Sequence, residues 1–167
     1  MGATLSSAKK PLRPGLAIDF IKNLQRDYPD LCFTPGKREH WSPRSKTITY
    51  NPAQSPPSLR SGVLHELAHA QLGHSTYDSD LELIKLEAEA WELAAKIGKK
   101  YGARISHDHI QNCLDTYRDW LHRRSTCPTC RSHGLQQDPG SYRCLNCQAK
   151  WSVTSDHFAR AYRRRAT

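Results

Sequence analysis

The sequence lacks the features of a membrane-spanning, secreted or repetitive protein. None of its apolar runs approaches the ~18 residues that a membrane-spanning helix needs, so a transmembrane protein is excluded. The first residues, MGATLSSAKKPLRP, contain no apolar stretch of the kind found in secretory signals, and no internal repeat is visible. We therefore expect this chain of 167 residues to form one compact domain with a small appendage.

The sequence contains six cysteines, and their spacing is informative. Four of the six cysteines form two Cys-x-x-Cys pairs, Cys127/Cys130 and Cys144/Cys147. Two such pairs indicate a zinc ribbon, in which four thiolates fill every position around a structural zinc ion. Redox-active or unpaired cysteines are the alternative. Because the pattern favours a metal over disulfides, we expect an intracellular protein, in the cytoplasm or, in a eukaryote, the nucleus.

Positive charge is concentrated near the C-terminal end of the sequence. Residues 121–167 carry nine basic side chains (Arg or Lys) and two acidic ones (Asp or Glu). Residues 61–100 carry four basic and seven acidic side chains. Three aromatic residues, Tyr142, Trp151 and Phe158, are interleaved with these cations. Cations with stacking aromatics suit nucleic acid, although they also suit an acidic protein partner, and aromatics also suit a small ribbon core. Nucleic acid is therefore a hypothetical partner, bound through the ribbon and the basic tail.

Periodicity and turn residues predict an α+β fold. Helices are predicted over about 15–28, 58–73, 81–100 and 108–124. Two or three short antiparallel strands are predicted between residues 31 and 51, where Thr, Ile, Tyr and Phe are frequent. The prolines just before residue 58 are expected to break the chain ahead of the second helix.

The run HELAH at residues 65–69 carries the strongest chemical signal. Two histidines four positions apart on a helix, His65 and His69, project from one face, so both imidazoles can bind one zinc ion. The intervening Glu66 is placed to take a proton from a water and to pass it to the leaving amine. A solvent-facing helix with incidental histidines is the alternative, and the apolar surroundings of the motif argue against it.

A third zinc ligand is expected on the next helix, which contains four glutamates. At about 100° per residue, Glu87 falls on the apolar stripe of this helix, whereas Glu89 falls on the side that carries the lysines. A carboxylate on a buried stripe is costly unless it is paired or metal-bound. Glu87 is therefore the expected ligand and Glu89 the fallback.

For several other polar residues, the sequence leaves two alternative placements open. His74 follows His69 by five residues rather than six, so it is expected beside the ligands or at the surface. Tyr77, His107 and His109 are candidates for stabilising the oxyanion of a tetrahedral intermediate, with surface placement as the alternative.

The run HELAHAQLGH at 65–74, followed by EAEAWELAA at 87–95, resembles the ImmA/IrrE-type zinc metallopeptidases over residues 14–100. The resemblance implies a small gluzincin-like domain whose third zinc ligand maps onto Glu87, and a DNA-bound regulator or repressor as substrate. Trp91 stands where that family usually has Asn, and Leu93 stands where it usually has Phe.

A strand before the motif and an appended ribbon also resemble SprT-type proteases, including the Spartan group. Their third ligand is a downstream histidine, and residues 75–106 contain none, which argues against that family. Proteolysis beside DNA stays an alternative. The strand at 46–51 either holds an extended peptide, as an edge strand beside the active-site helix, or is an ordinary sheet strand.

These patterns predict an α+β protein with two zinc ions, one catalytic and one structural, that cleaves a protein substrate. The predicted organisation is a disordered leader (1–12), a zincin-like metallopeptidase domain (13–123), a four-cysteine zinc ribbon (124–152) and a basic tail (153–167). The alternative from another class is a non-catalytic zinc-binding regulator that binds DNA or protein. An intact Glu66 favours the enzyme, and the oligomeric state is not indicated.

Overall fold

The computed structural model describes residues 15–154 and 163–165, which form four helices and seven strands. The predicted leader lies outside the described residues, as does most of the predicted tail. None of the helices in the described part is both long and apolar enough to cross a membrane. In chain order the elements are α1 (Gly15–Asp27), β1 (Cys32–Pro35), β2 (His40–Ser42), β3 (Thr47–Tyr50), α2 (Pro56–Leu72), α3 (Asp80–Lys100), α4 (His107–Ser125), β4 (Gly134–Asp138), β5 (Ser141–Cys144), β6 (Lys150–Val153) and β7 (Arg163–Arg165).

Helix α2 begins earlier than the sequence predicted. Pro56 and Pro57 occupy its first turn rather than breaking the chain before it. Proline is tolerated there because the first backbone N–H groups of a helix have no partner within the helix. The helix ends where expected, at Gly73, whose φ of 71° is the left-handed conformation that favours glycine.

The first sheet is mixed rather than antiparallel throughout. Its strand order is β1-β3-β2, in which β2 is antiparallel to β3 and β1 is parallel to β3. The α+β class is confirmed, but the predicted antiparallel direction is wrong for the β1–β3 pair. The chain reverses its direction between β1 and β2 and again between β2 and β3. Because β3 then lies beside β1 in the sheet, these two strands run parallel.

The main core lies around α2, which contacts α1, α3 and the first sheet. Leu64, Leu67 and Ala68 on α2 are completely buried, as are Ala90 and Ala94 on α3. Alanines on the facing surface let the two helix backbones approach closely. The pairing of α2 with α3 therefore brings the histidine-bearing helix against the glutamate-bearing one.

A second, smaller core lies in the sheet of β4, β5, β6 and β7. The rings of Tyr142 and Trp151 stack with centroids 5.6 Å apart, beside the buried Cys127 and Cys144. A Cβ atom at Gly134 would lie 2.4 Å from this Trp151 ring, so only glycine fits there. These two aromatics are core residues, which contradicts the idea that they are stacking surfaces for nucleic acid.

Part of the predicted basic tail belongs to this second sheet. Arg163–Arg165 forms β7, which pairs with β6 in an antiparallel register. The predicted boundary at residue 123 falls in the last turn of α4.

A buried polar network joins the second sheet to the N-terminus of α3. Arg124 on α4 is 2% exposed and donates hydrogen bonds from Nε and Nη2 to the carboxylate of Asp80, at 2.6 and 3.2 Å. Tyr142 on β5 donates its hydroxyl to the same carboxylate. The backbone N–H of Asp80 donates to Gln136 on β4 at 2.8 Å. The second sheet is thus anchored to the helix that carries Glu87.

We expect Asp80→Asn to lower the free energy of unfolding by about 3–5 kcal/mol, because the substitution leaves the buried Arg124 charge without its partner. Urea denaturation measures the change. Asp108→Asn is the matched control, since Asp108 is exposed in the first turn of α4 and its loss should cost about 1 kcal/mol or less. Equal losses in the two variants would contradict the role of the network.

Candidate metal centres

The first candidate centre is built on one face of α2. His65 and His69 lie one turn apart, and their Nε2 atoms are 3.1 Å from each other. His65 is buried, and the side chain of His69 is 12% exposed. The helical spacing read from the sequence thus brings both imidazoles to one point.

Glu87 on α3 completes the group. Its carboxylate oxygens lie 3.0 Å from His65 Nε2 and 3.5 Å from His69 Nε2, and the residue is 6% exposed. Burial alone would raise the pKa of Glu87, but hydrogen bonds and charge interactions with the two imidazoles outweigh it and hold the pKa well below its usual range. Glu89, the alternative third ligand, is 44% exposed at its side chain. Its Oε2 lies 3.7 Å from Nε2 of His74.

The donor set fits a zinc ion. Two nitrogens and one carboxylate are the ligands of many catalytic zinc sites, in which a fourth position stays open. Zinc–nitrogen bonds of about 2.0–2.1 Å at a tetrahedral angle place two nitrogens about 3.3 Å apart, close to the observed 3.1 Å. Within the described residues, this group and the four cysteines are the clusters that could hold a metal ion.

Glu66, next to His65 in the chain, lines a cleft that also reaches His69 and Glu87. The cleft has a volume of about 220 Å³, and its walls include Trp41, Glu66, His69 and Tyr77. Burial raises the pKa of Glu66, while the two nearby imidazoles and the backbone N–H of Trp41 oppose the rise. The cleft is therefore lined both by the Glu66 carboxylate and by two members of the candidate metal site, His69 and Glu87.

Two aromatic residues near the ligands were not predicted as part of the site. Trp91 stacks on the His65 ring with centroids 4.1 Å apart and an interplanar angle of 21°. Tyr117 on α4 donates a hydrogen bond to Glu87, and burial together with the Glu87 charge raises its pKa. Both lie on helices, where hydrophobic periodicity cannot separate a core aromatic from one that contacts a ligand.

His74 lies beside the ligands. Its Nδ1 is 2.9 Å from His69 Nδ1, because the left-handed Gly73 turns the chain back over the end of α2. The indole N–H of Trp41 donates to the His74 carbonyl at 3.0 Å and fixes this turn. A metal-binding histidine generally has a partner for its other ring nitrogen, and His74 occupies that place for His69.

The three residues predicted as candidates for stabilising the oxyanion lie in different places. Tyr77 lines the cleft, whereas His107 and His109 are exposed in the first turn of α4. His109 packs its ring edge against Trp91, with centroids 5.3 Å apart.

The strand predicted to hold peptide is not an edge strand. β3 lies between β1 and β2, so both of its edges are used in pairing and it is an ordinary sheet strand. The edge of the sheet next to the cleft is β2, whose residues His40 and Trp41 line it.

The four cysteines form the second candidate centre. Cys127 Sγ lies 3.7 Å from Cys147 Sγ, and Cys130 Sγ lies 3.5 Å from Cys144 Sγ. These separations exclude disulfides and match the ~3.8 Å expected between thiolates around a tetrahedral zinc ion. The backbone N–H of Ser132 lowers the pKa of Cys130 to about 6, which favours the thiolate that a metal binds.

Each cysteine pair lies in the same kind of turn. The residue that follows each pair, Arg131 and Gln148, has a left-handed φ of 62°. In both turns a backbone N–H two residues on donates to the first sulfur, from Thr129 to Cys127 at 3.4 Å and from Asn146 to Cys144 at 3.3 Å. Two matching turns that present four sulfurs to one point are what a zinc ribbon requires.

The fold and the first centre fit a zincin-like domain. Residues 28–98 match the family model Peptidase_M78, described as the IrrE N-terminal-like domain. The match confirms the resemblance to ImmA/IrrE-type metallopeptidases and covers β1 to α3, including all three residues of the first centre. No curated protein and no solved structure matches the chain.

We expect the purified wild-type protein to hold two zinc ions per chain and Glu87→Ala to hold about one, since loss of one of three ligands gravely weakens a site. Glu89→Ala is the matched control, because it removes a carboxylate two residues away that pairs with His74 and not with the proposed ligands His65 and His69, and it should keep both ions. Elemental analysis after dialysis measures the content. Loss of zinc from the Glu89 variant instead would show that the ligand is wrongly assigned.

We also expect the stacking of Trp91 on His65 to support metal binding. The buried Nδ1 of His65 has no hydrogen-bond partner among the described residues, so the stacked ring replaces the acceptor that usually orients such a histidine. Trp91→Leu should weaken zinc binding at this centre by about 10–100-fold, whereas Trp91→Phe should weaken it less. Competition with a chromophoric chelator measures the affinity, and the ribbon zinc is the internal reference. Equal affinities for the Leu and Phe variants would contradict the prediction.

Proposed function

We propose that this protein is a zinc-dependent metalloendopeptidase that hydrolyses peptide bonds of a protein substrate. The observation that carries the proposal is the convergence of His65, His69 and Glu87, with Glu66 beside them at an open cleft. Three protein ligands leave one zinc position free, as catalysis requires. The match of residues 28–98 to a peptidase family supports the same conclusion.

The roles of the side chains follow from their positions. Zinc in such a centre supplies Lewis acidity, which lowers the pKa of a water and polarises a carbonyl oxygen. Glu66 accepts a proton from the attacking water and delivers it to the leaving amine, because it lies next to the ligands on the side of the cleft. Tyr117 holds Glu87 in place through its hydroxyl.

The edge strand β2 is placed to bind the substrate backbone. It pairs with β3 on one side only, and it borders the cleft through His40 and Trp41. An extended peptide can add to such an edge through backbone hydrogen bonds, which tolerate many side chains. Tyr77, across the cleft, is the described candidate for stabilising the oxyanion.

A protein regulator bound to DNA is the proposed substrate. The resemblance to ImmA/IrrE-type peptidases supports this class. The position of the ribbon supports it too, because Asp80, the residue that anchors the ribbon, precedes Glu87 by two turns of α3, about 10 Å. A partner bound by the ribbon would therefore be held near the cleft.

The alternatives predict other arrangements. An SprT-like DNA-associated crosslink protease would use a downstream histidine as third ligand, whereas the donor that faces His65 and His69 here is a carboxylate. A non-catalytic regulator would have no use for a carboxylate at the open side of the centre, where Glu66 lies.

We expect Glu66→Gln to abolish proteolysis without loss of zinc. Removal of a general base lowers rates by about 10²–10⁴-fold, and Glu66 is outside the metal-binding group. The zinc-loaded wild type and variant are incubated with a library of peptides from a digested proteome, and new termini are counted by mass spectrometry.

Glu89→Gln is the matched control for this experiment and should cleave like the wild type. If the Glu66 variant yields the same new termini as the wild type, or if neither protein yields any, the peptidase proposal is wrong and the non-catalytic regulator is favoured.

A further inference from the structure

The outer face of the ribbon sheet carries a pair of like charges. Arg143 on β5 lies directly opposite Lys150 on β6, and both are exposed. Leu135 on β4 extends the row on the other side of Arg143 and is 57% exposed. Like charges that face each other across two strands destabilise a sheet by ~0.2–1 kcal/mol. The fold therefore keeps this pair at a cost.

A third cation lies in an unfavourable backbone conformation. Arg131 has a φ of 62°, a left-handed conformation that costs a residue with a Cβ atom about 1–2 kcal/mol. Gln148 occupies the same position in the other cysteine turn, and its side chain donates to the carbonyl of Leu145 at 3.2 Å. The side chain of Arg131 has no such local bond within the described residues.

Acidic side chains do not compensate these cations. In residues 121–154, Asp138 at the β4–β5 hairpin is the only Asp or Glu. Arg143, Lys150 and Arg131 form no salt bridge within the described part of the chain. Arg124 is the one arginine of the ribbon region that is buried and paired, and its partner belongs to α3.

We propose that this outer face of the ribbon, with Arg143 and Lys150, binds the phosphate backbone of nucleic acid, and that Arg131 in the first cysteine turn adds a third exposed cation to the binding surface. Three exposed cations without acidic partners match a ligand whose charge is dense, continuous and of one sign. The guanidinium groups are suited to bidentate contacts with phosphate. This inference does not rest on the proposed peptidase activity.

The outer face of the ribbon sheet offers no aromatic ring from β5 or β6 on which nucleic-acid bases could stack. Tyr142 and Trp151, the aromatic residues of β5 and β6, are buried in the ribbon core, so no aromatic ring of these two strands is available to stack on bases. Contacts to phosphate carry little sequence information. We therefore expect binding that depends strongly on salt and weakly on sequence.

The test measures binding of the full-length, zinc-loaded protein to a fluorescent 20-base-pair DNA duplex by anisotropy, between 50 and 200 mM NaCl. Arg143→Gln/Lys150→Gln should weaken binding at 100 mM NaCl at least tenfold. It should also reduce the slope of log affinity against log salt by about 1.8, which corresponds to two phosphate contacts.

Two variants control for charge and folding. Lys22→Gln/Lys99→Gln removes the same charge from exposed positions on α1 and α3 and should leave both affinity and slope unchanged. The exchange Arg143→Lys/Lys150→Arg keeps both charges and should bind within about threefold of the wild type. The glutamine variant of the ribbon should melt no lower than the wild type, because it removes a like-charge pair.

Three results would overturn the proposal. One is an equal loss of binding in the Lys22/Lys99 variant, which would indicate a general effect of net charge. Another is wild-type affinity and slope in the Arg143/Lys150 variant. The last is tighter binding of polyglutamate than of the duplex at equal salt, which would identify an acidic protein as the partner. Glu66→Gln should bind DNA like the wild type, because Glu66 lies outside the ribbon. Failure of the DNA-binding proposal can therefore be distinguished from failure of the peptidase proposal.

Discussion

The carboxylate of Glu87 lies in the interface between α2 and α3, where it faces the imidazoles of His65 and His69 and contacts little solvent. A charge in such a position is strongly unfavourable unless it has partners. The interface must therefore keep two histidines, and a metal when one is bound, opposite this one residue. The close approach of the two helices, made possible by Ala90 and Ala94, is what brings the three side chains together.

The N-terminal half of helix α3 carries two buried acidic residues, Asp80 and Glu87, and they have different partners. Glu87 faces the histidines, and Asp80 anchors Arg124 and Tyr142 of the ribbon region. Both carboxylates project from one continuous helix, which is stiff over this distance. The ribbon is therefore held at a fixed distance from the metal centre, although its own contacts with the core are few.

The sequence predicted that His65, His69 and Glu87 lie together because these signals are local or periodic. The spacing of His65 and His69 and the buried side of α3 follow from helix geometry alone. The Tyr117 contact with Glu87 depends on how α4 packs, and the parallel pairing of β1 with β3 depends on how a hairpin inserts. Neither is encoded in a short window of sequence. The first turn of α2 was missed because proline is compatible with a helix start as well as with a break.

The region of β4–β7 and the four cysteines carries features that a domain of this size would tolerate only with additional stabilisation, such as a bound metal ion. Its core consists of two stacked aromatics and two buried cysteines, too little apolar surface for independent stability. It nevertheless keeps a like-charge pair, Arg143 and Lys150, and two left-handed residues that are not glycine. Zinc bound by four thiolates stabilises such folds by an amount larger than these costs combined. A zinc ion bound by the four cysteines would therefore allow the outer face to carry charge at some cost in stability, in agreement with the lack of acidic partners for Arg143 and Lys150 among the described residues.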